Sequence, residues 1–425
     1  MLVPTLVQPA AHADPVAAVV LALAVILVGA KLGGHVAVRI GQPAVLGELV
    51  VGIVLGNLDL FGVTWFRGLA VDPTIGILAQ IGVVLLLFQV GLESTVRDMM
   101  KVGVPSFLVA TLGVVTPFAL GWGVGALLLP GETWYAHAFL GATLTATSVG
   151  ITARVLKDLG RDASAEARVI VGAAVIDDVM GLVILAVVSG VILGVDRGQP
   201  LSLGQTALVL VKATVFLVGA LGLGVLVSPR LFALASRLRG QDVLLAVSLA
   251  VCFVLAYLAS AIGLAAIVGA YAAGLILEEV HFREFTERGE RHLRELVAPI
   301  ASFLVPVFFV LMGLKVDLRA FARPEVLGLA ALLIVAAILG KQACALGAVG
   351  GRLDRLSIGI GMIPRGEVGL IFASIGTTLT IGGQPVISAA IFSAVVIMVV
   401  VTTLVTPPAL AWSLARGARR KAGAS

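Results

Sequence analysis

The stretch VIDDVMGLVIL, residues 175–185, places two adjacent carboxylates in a run that carries no other charge from Val169 to Val195. An ionised Asp at the centre of a membrane helix costs roughly 2.5–3.5 kcal/mol on insertion scales. Neighbouring helix residues point about 100° apart, so Asp177 and Asp178 cannot share one environment equally. Since one polar group would suffice for packing specificity, the pair predicts a function that uses charge inside the membrane.

The composition around this run is that of a membrane protein. The chain has 425 residues, of which 60% are hydrophobic and 12% charged, and its mean hydropathy is +1.12. A soluble domain cannot bury so much apolar surface, so we predict an all-α polytopic membrane protein. The sequence contains no phosphate-binding loop after a predicted strand, which gives no support to ATP-driven pumping. We also expect no enzymatic activity. We expect no cofactor and no nucleic-acid partner.

Apolar runs long enough to cross about 30 Å of hydrocarbon predict about thirteen spans. Their approximate ranges are 15–38, 43–61, 74–92, 103–129, 135–156, 167–195, 205–228, 241–260, 262–278, 298–314, 324–350, 356–378 and 385–414. Residues 1–14 are predicted to be an extracytoplasmic segment and residues 415–425 a basic cytoplasmic tail. The membrane domain is then 15–414.

The distribution of basic residues supports this count and orients the chain. With the N-terminus outside, 21 of the 29 Lys and Arg residues fall on the cytoplasmic side and five outside. If one span were miscounted, every later loop would be assigned to the wrong side, and the cytoplasmic and external basic residues would be mixed. We therefore predict an outside N-terminus and a cytoplasmic C-terminus.

The seventh of the thirteen spans lies between two sets of six. Because it crosses the membrane once, the last six spans start on the opposite side from the first six, and the two sets are inverted with respect to each other. This is the plan of a secondary transporter with inverted repeats. The fifth span of each half is interrupted, by TLTATSVGIT (143–152) and by GIGMIPRGEVG (359–369). Paired interruptions predict crossed discontinuous helices and a binding site at the bilayer midplane, although Gly and Pro can also merely kink a membrane helix.

Further charges lie within the predicted spans. Lys341 has no acid nearby on its own helix and is expected to pair with one of the two aspartates, or to compensate a half-helix C-terminus. Arg365 and Glu367 flank the second interruption, where they could compensate the charge of half-helix ends or serve only in packing. Thr147 and Ser148 in the first interruption offer oxygens without charge. A hard cation prefers such oxygens, so we predict a reversible Na⁺ site formed by a carboxylate, one or two of these hydroxyls, a carbonyl and water.

The segments AAVIDDVMGLVIL, TATSVGIT, ILGK, FLVPVFFVLMGLKVDL and MIPRGEVGLI resemble the bacterial monovalent cation:proton antiporter 2 family. Within it they look like the Asp-Asp branch of Na⁺/H⁺ antiporters, the NapA type. The resemblance covers about residues 15–414. It implies that Asp178 is the ion-binding carboxylate, that Asp177 pairs with Lys341, and that Thr147 and Ser148 lie near the ion.

The resemblance also implies a homodimer in a bacterial inner membrane. The dimerisation helices would be about 15–92 and 241–314, the core helices about 103–195 and 324–414, and the linker about 205–228. The soluble nucleotide-sensing domain of the potassium-efflux relatives does not occur in this sequence.

The function expected on this basis is alternating-access exchange of Na⁺ or Li⁺ for protons. If Lys341 also releases a proton, the exchange is electrogenic. The nearest rival is K⁺/H⁺ antiport on the same scaffold. A channel lined by the acids and a Na⁺-coupled solute symporter are alternatives from other classes, and the symporter makes less use of the buried lysine.

Overall fold

The computed structural model describes residues 15–93, 103–161, 164–196, 203–238, 242–277, 292–319, 323–350 and 353–422. Within these residues the chain is almost entirely helical. The α-helices are α1 Pro15–Arg39, α2 Ala44–Gly56, α3 Trp65–Ala70, α4 Pro73–Glu93, α5 Val104–Leu128, α6 Trp134–Thr143, α7 Val149–Asp158, α8 Ala165–Asp196, α9 Leu203–Ala235, α10 Val243–Ala261, α11 Ala266–Ile276, α12 Leu293–Leu314, α13 Pro324–Ala343, α14 Arg355–Gly361, α15 Gly366–Thr378 and α16 Ala389–Ala422. Two 3₁₀ turns, Leu58–Phe61 and Cys344–Gly347, and one antiparallel strand pair, β1 Thr380–Ile381 and β2 Gln384–Pro385, complete the described elements.

Many of these helices can cross a bilayer. Among the described residues, nine are long and apolar enough to do so, and α9, which bends by 48°, makes a tenth. The bend lies between Gly222 and Leu226, about one turn before Pro229. Proline removes a helix hydrogen bond and its ring clashes with the carbonyl four residues earlier, which kinks a helix at this point. The all-α polytopic membrane fold is therefore confirmed, whereas the count of thirteen and the inverted repeats remain predictions.

Several predicted spans differ from the observed helices in informative ways. The span predicted at 135–156 is divided into α6 and α7, and that at 356–378 into α14 and α15. The span predicted to begin at 385 begins at Ala389, because Gln384 and Pro385 pair with the preceding strand. Helix α16 continues to Ala422, so the described part of the predicted tail extends the last helix. Residues 1–14 lie outside the described residues.

The chain divides into two compact units. The first holds the described residues from Pro15 to Gly82 together with Ser302–Lys315. Its helices approach closely at glycines: a Cβ on Gly47 would overlap the carbonyl of Gly33, and one on Gly52 would overlap the carbonyl of Val310. Close approach of backbones at small residues is the usual basis of helix association in lipid.

The second unit holds Val83–Ala301 and everything from Val316 onward. One hydrophobic cluster in it joins α5, α8, α14 and α16 and includes the buried residues Ala110, Ile170, Ile358 and Leu410. A second cluster joins the C-terminal part of α4 to α9, α10 and α11 through residues such as Phe88, Phe232 and Cys252. The predicted division into core, dimerisation and linker helices remains a prediction.

Candidate ion-binding site

The first interruption lies between α6 and α7, at residues 144–148. Hydroxyls compete with the helix for backbone carbonyls here: Thr143 Oγ1 donates to Phe139 O at 3.0 Å and Thr145 Oγ1 to Ala142 O at 2.8 Å. Such local bonds, together with β-branched side chains, weaken a helix. The chain runs without helical structure until Val149 and stays buried throughout. The predicted interruption is confirmed.

The second interruption, residues 362–365, has a different cause. Pro364 has no N–H and disfavours helical backbone in the residue before it. Gly366, where α15 begins, has a φ of +43°, a conformation that glycine adopts at little cost. A Cβ on Gly366 would also overlap Ser148 in the other interruption. Glycine is therefore required here both for the turn and for the close approach.

The two interruptions contact each other directly. The Ser148 N–H donates to Pro364 O at 2.8 Å. Thr152 Oγ1 donates to Gly361 O at 2.6 Å, and Thr147 Oγ1 makes a longer bond of 3.4 Å to Met362 O. These bonds satisfy carbonyls at the C-terminal end of α14 that the broken helix leaves open. The predicted crossing of discontinuous helices is thus present in the structure.

Arg365 connects this crossing to α13. Its guanidinium donates through Nη1 to Ala146 O at 2.8 Å and through Nη2 to Ala337 O at 3.3 Å. The side chain is completely buried. A cation at carbonyls just beyond the C-terminus of α6 opposes the negative end of that half-helix. Arg365 therefore lies at the end of a half-helix, and its role in compensating the charge of that end stays a prediction.

The buried acid and lysine form an ion pair. Lys341 Nζ lies 2.9 Å from Asp177 Oδ1, and both side chains are fully buried. The other carboxylate oxygen, Asp177 Oδ2, is buried and has no hydrogen-bond partner among the described residues. Gly113 of α5 lies over the pair, since a Cβ there would sit 3.5 Å from Lys341 Nζ and 3.8 Å from Asp177 Oδ1. Lys341 therefore has the partner that the family resemblance implied.

Asp178 has a different environment from Asp177. It is half-buried, whereas Asp177 is fully buried, as the separation of about 100° on a helix leads one to expect. Helix α8 also reaches the crossing one turn further on, where a Cβ on Gly181 would lie 3.6 Å from Thr145 Oγ1. The pair thus offers one enclosed carboxylate and one more accessible carboxylate.

The remaining predicted residues are placed less completely. Ser148 and Thr147 lie at the crossing and are buried. Glu367 lies in the first turn of α15, but its side chain is outside the described part of the structure. Among the described residues no cluster of three or more His, Cys, Asp or Glu occurs; the oxygens near the crossing are carboxylates, hydroxyls and carbonyls, which suit a hard alkali cation.

Three positions were not singled out from the sequence: Thr152, Gly366 and Gly113. Thr152 lies four residues after Ser148 and so shares its helix face, which is the one signal that could have found it. Gly366 belongs to the RGE segment, but its positive φ depends on the tertiary approach to Ser148. Nothing in the sequence around Gly113 links it to a lysine more than 200 residues away.

A helical membrane bundle with two crossed half-helix breaks and buried charges at the crossing defines an ion-coupled secondary transporter. The chain belongs to the sodium/hydrogen exchanger family, whose transmembrane family model matches residues 17–416. It is a transporter and not an enzyme. The predicted family resemblance is confirmed at this level.

Individual relatives agree with the family assignment. The chain is 39% identical over 426 residues to the high-affinity Na⁺/H⁺ antiporter NhaS3 of Synechocystis, covering 92% of this chain and 89% of that protein. It is 35% identical to the Na⁺/H⁺-K⁺ antiporter GerN of Bacillus cereus, over 94% of this chain and 97% of GerN. The fold is similar to that of the sodium proton antiporter MjNhaP1 from Methanocaldococcus jannaschii, with a TM-score of 0.71 and 16% identity over 94% of this chain and 97% of the other.

Proposed function

We propose that the protein exchanges Na⁺ or Li⁺ for protons at Asp178, by alternating access of the crossed half-helices to the two sides of the membrane. The observation that carries the proposal is the buried Lys341–Asp177 ion pair, 2.9 Å long, next in sequence to a half-buried second carboxylate. Membership of the sodium/hydrogen exchanger family supports the choice of ions.

In this proposal, one carboxylate binds the two ions in turn. A proton from the cytoplasmic or external solution neutralises Asp178. After Asp178 has released that proton, Na⁺ binds in its place. Ser148 and Thr147 would complete the oxygen shell with hydroxyl or carbonyl oxygens, since an alkali cation needs several such ligands. Either load neutralises the carboxylate, which makes its passage through the apolar protein interior less costly.

Lys341 supplies the second proton. When Na⁺ binds to ionised Asp178, the Lys341 ammonium gives up one proton and remains as a neutral amine beside Asp177. Asp178 has by then released its own proton, so two protons leave for one Na⁺ that enters the site. Each complete cycle therefore moves one net positive charge in the direction of the protons, and exchange is electrogenic.

K⁺/H⁺ antiport on the same scaffold is the second candidate. It is favoured by the name of GerN, a Na⁺/H⁺-K⁺ antiporter, and by 30% identity over 77% of this chain to the K⁺/H⁺ antiporter subunit KhtU of Bacillus subtilis. The 39% identity to a high-affinity Na⁺/H⁺ antiporter favours sodium. Proton release that responds to K⁺ and ignores Na⁺ would reverse this preference.

The oligomeric state, the membrane and the orientation of the chain are part of the same proposal. We expect a homodimer in a bacterial inner membrane, with the N-terminus outside and the C-terminus in the cytoplasm. Helices at about 15–92 and 241–314 would form the dimer contact, and lipid would surround the remaining surface.

The test is exchange by the purified protein in proteoliposomes with an imposed pH gradient. Wild-type protein should accumulate Na⁺ against its gradient, which a channel cannot do. Asp178→Asn should abolish exchange, and Glu325→Gln, which changes an exposed acid at the start of α13, should not. Full exchange by Asp178→Asn would end the proposal.

A further inference from the structure

A third acid lies inside the helices, far from the crossing in sequence and in the other compact unit. Glu48 of α2 is only 6% exposed, and its Oε2 atom is buried with no hydrogen-bond partner among the described residues. The transport site uses neither Glu48 nor any other residue of α2. A buried carboxylate with an unsatisfied oxygen is costly in its ionised form, so its retention requires an explanation.

Helix α1 covers one side of Glu48. Gly29 faces Val51, and Gly33 faces Gly47, so α1 and α2 run antiparallel and Glu48 lies level with Lys31 and Leu32. Lys31 acts electrostatically on the Glu48 carboxyl but is itself exposed.

The segment Ser302–Lys315 lies along α2 further up the helix. Gly52 packs on Val310 and Gly56 on Leu314, and Glu48, Gly52 and Gly56 follow one another at intervals of about one helical turn. Continuing this register downwards by one turn places Glu48 level with Pro306. The contacts leave no room for a Cβ at either glycine, so this face cannot rearrange without separating the helices.

Few other charged groups belong to this unit near Glu48. The segments Pro73–Gly82 and Ser302–Leu314 contain no ionisable residue, and Lys315 lies more than two turns above. Asp59, in the 3₁₀ turn that follows α2, is paired with Arg67 at 2.6 Å. On α1, His35 lies one turn beyond Lys31 and Arg39 is the last residue of the helix, and both are exposed. Among the described residues of the unit, Lys31 is thus the principal counter-charge.

We propose that Glu48 is a second proton-binding site, separate from the ion site, whose proton stabilises the close packing of α1 and the Ser302–Lys315 segment on α2. With Glu48 neutral, the three segments pack as the structure shows them. When the proton leaves, the carboxylate requires water or the Lys31 ammonium, and the glycine contacts must loosen to supply either. The site therefore responds to pH, and none of the residues proposed to bind the transported ions belongs to it.

Infrared difference spectroscopy of the purified full-length protein at stepped pH tests this assignment. The wild type should show the C=O stretch of a protonated carboxylic acid at a pH where exposed glutamates are ionised. Glu48→Gln should lose that band, and Glu325→Gln should keep it. A band unchanged in Glu48→Gln overturns the assignment.

A second variant keeps the carboxyl in place. Lys31→Met removes the counter-charge, so the band should persist to higher pH than in the wild type; a band that disappears at the same or a lower pH contradicts the proposal. The result is separable from the transport proposal, because Asp178→Asn should retain the Glu48 band while losing exchange. Glu48→Gln should still exchange Na⁺ for protons, with a changed pH profile; complete loss of exchange at every pH would overturn the separation of Glu48 from the transport path.

Discussion

At the scale of single residues, two fully buried cations in the described part of the chain have defined acceptors. Lys341 has the Asp177 carboxylate, and Arg365 has the carbonyls of Ala146 and Ala337. Removing one member of a buried pair leaves an uncompensated charge, whereas removing both can be nearly neutral. The two aspartates therefore differ in what they contribute: Asp177 balances Lys341, and Asp178 is proposed to bind the ion.

A double-mutant cycle measures that balance. Asp177→Asn and Lys341→Met should each destabilise the protein by about 3–5 kcal/mol, because each leaves its partner charged and buried. The double variant should be more stable than either single variant. Chemical denaturation in detergent gives the free energies of unfolding, and additive effects of the two substitutions would show that the ion pair is energetically unimportant.

Gly366 lies at a position of the crossing that only glycine can occupy without strain. Gly366→Ala should strongly reduce both stability and exchange, because alanine is strained at a φ of +43° and its methyl would overlap Ser148. Gly328→Ala is a matched control within a helix, since a Cβ there meets nothing within 4 Å. The apparent melting temperatures of the two variants should diverge, with the control equal to or above the wild type; equal losses in both would contradict this reading.

At the scale of secondary-structure elements, the site consists of four half-helices whose open ends satisfy one another. The C-terminal carbonyls of α14 accept bonds from Thr152 and Thr147, and the N–H of Ser148 reaches Pro364. Helix α13 joins this arrangement through Arg365. When one of these half-helices moves, it must therefore either break its hydrogen bonds to the other interrupted helix or move together with that helix.

Thr152 offers a test of that connection. Thr152→Val preserves the shape of the side chain but removes the 2.6 Å hydrogen bond to Gly361 O. Expressed as free energies, the rise in the apparent KM for Na⁺ should be larger than the loss of stability. Thr152→Ser keeps the hydroxyl and should restore KM. Net stabilisation from one such bond is about 0.5–1.5 kcal/mol, which corresponds to roughly a twofold to tenfold change if it acts on binding alone. A Val variant with wild-type KM and a lowered melting temperature would indicate a purely structural role.

At the scale of the whole molecule, the proposed exchange requires that Na⁺ and protons compete for the Asp178 carboxylate. The apparent KM for Na⁺ should rise as pH falls through the range where protons occupy the carboxylate, because mass action couples the occupancies of the competing ions. The limit is about tenfold per pH unit where only the Asp178 proton must leave, and about a hundredfold where Lys341 must release a proton as well. The maximal rate should change much less over that range. Initial rates of radioactive sodium uptake at several pH values measure both quantities, and a KM independent of pH would exclude direct competition.

The proposed stoichiometry also belongs to this scale. With two protons per Na⁺, an imposed membrane potential should speed exchange in one direction and slow it in the other. Proteoliposomes with a potassium diffusion potential set by an ionophore provide the measurement. Exchange that is insensitive to voltage would remove the role of Lys341 as the carrier of the second proton while leaving Asp178 as the ion site.

The class of protein and the positions of its unusual residues could be predicted from the amino-acid sequence alone. Apolar length and charge within an apolar run are local properties, so membrane helices, the Asp177–Asp178 pair and the two interruptions at 143–152 and 359–369 were all predictable. Antiport also followed, through the resemblance of those same segments, and the family assignment confirms it at the family level. Helix ends were predicted less well: α13 passes into a 3₁₀ turn at Cys344–Gly347, and α16 starts only at Ala389 because Gln384 and Pro385 pair with the preceding strand.

Which groups meet depended on the folded arrangement of the helices. The bond from Thr152 to Gly361 and the position of Gly113 over the Asp177–Lys341 pair join residues that are distant in the chain. A single sequence carries no signal for such pairs, because any of several buried polar groups could satisfy a given partner. The choice among them depends on helix register and crossing, which are fixed by the packing of the whole bundle.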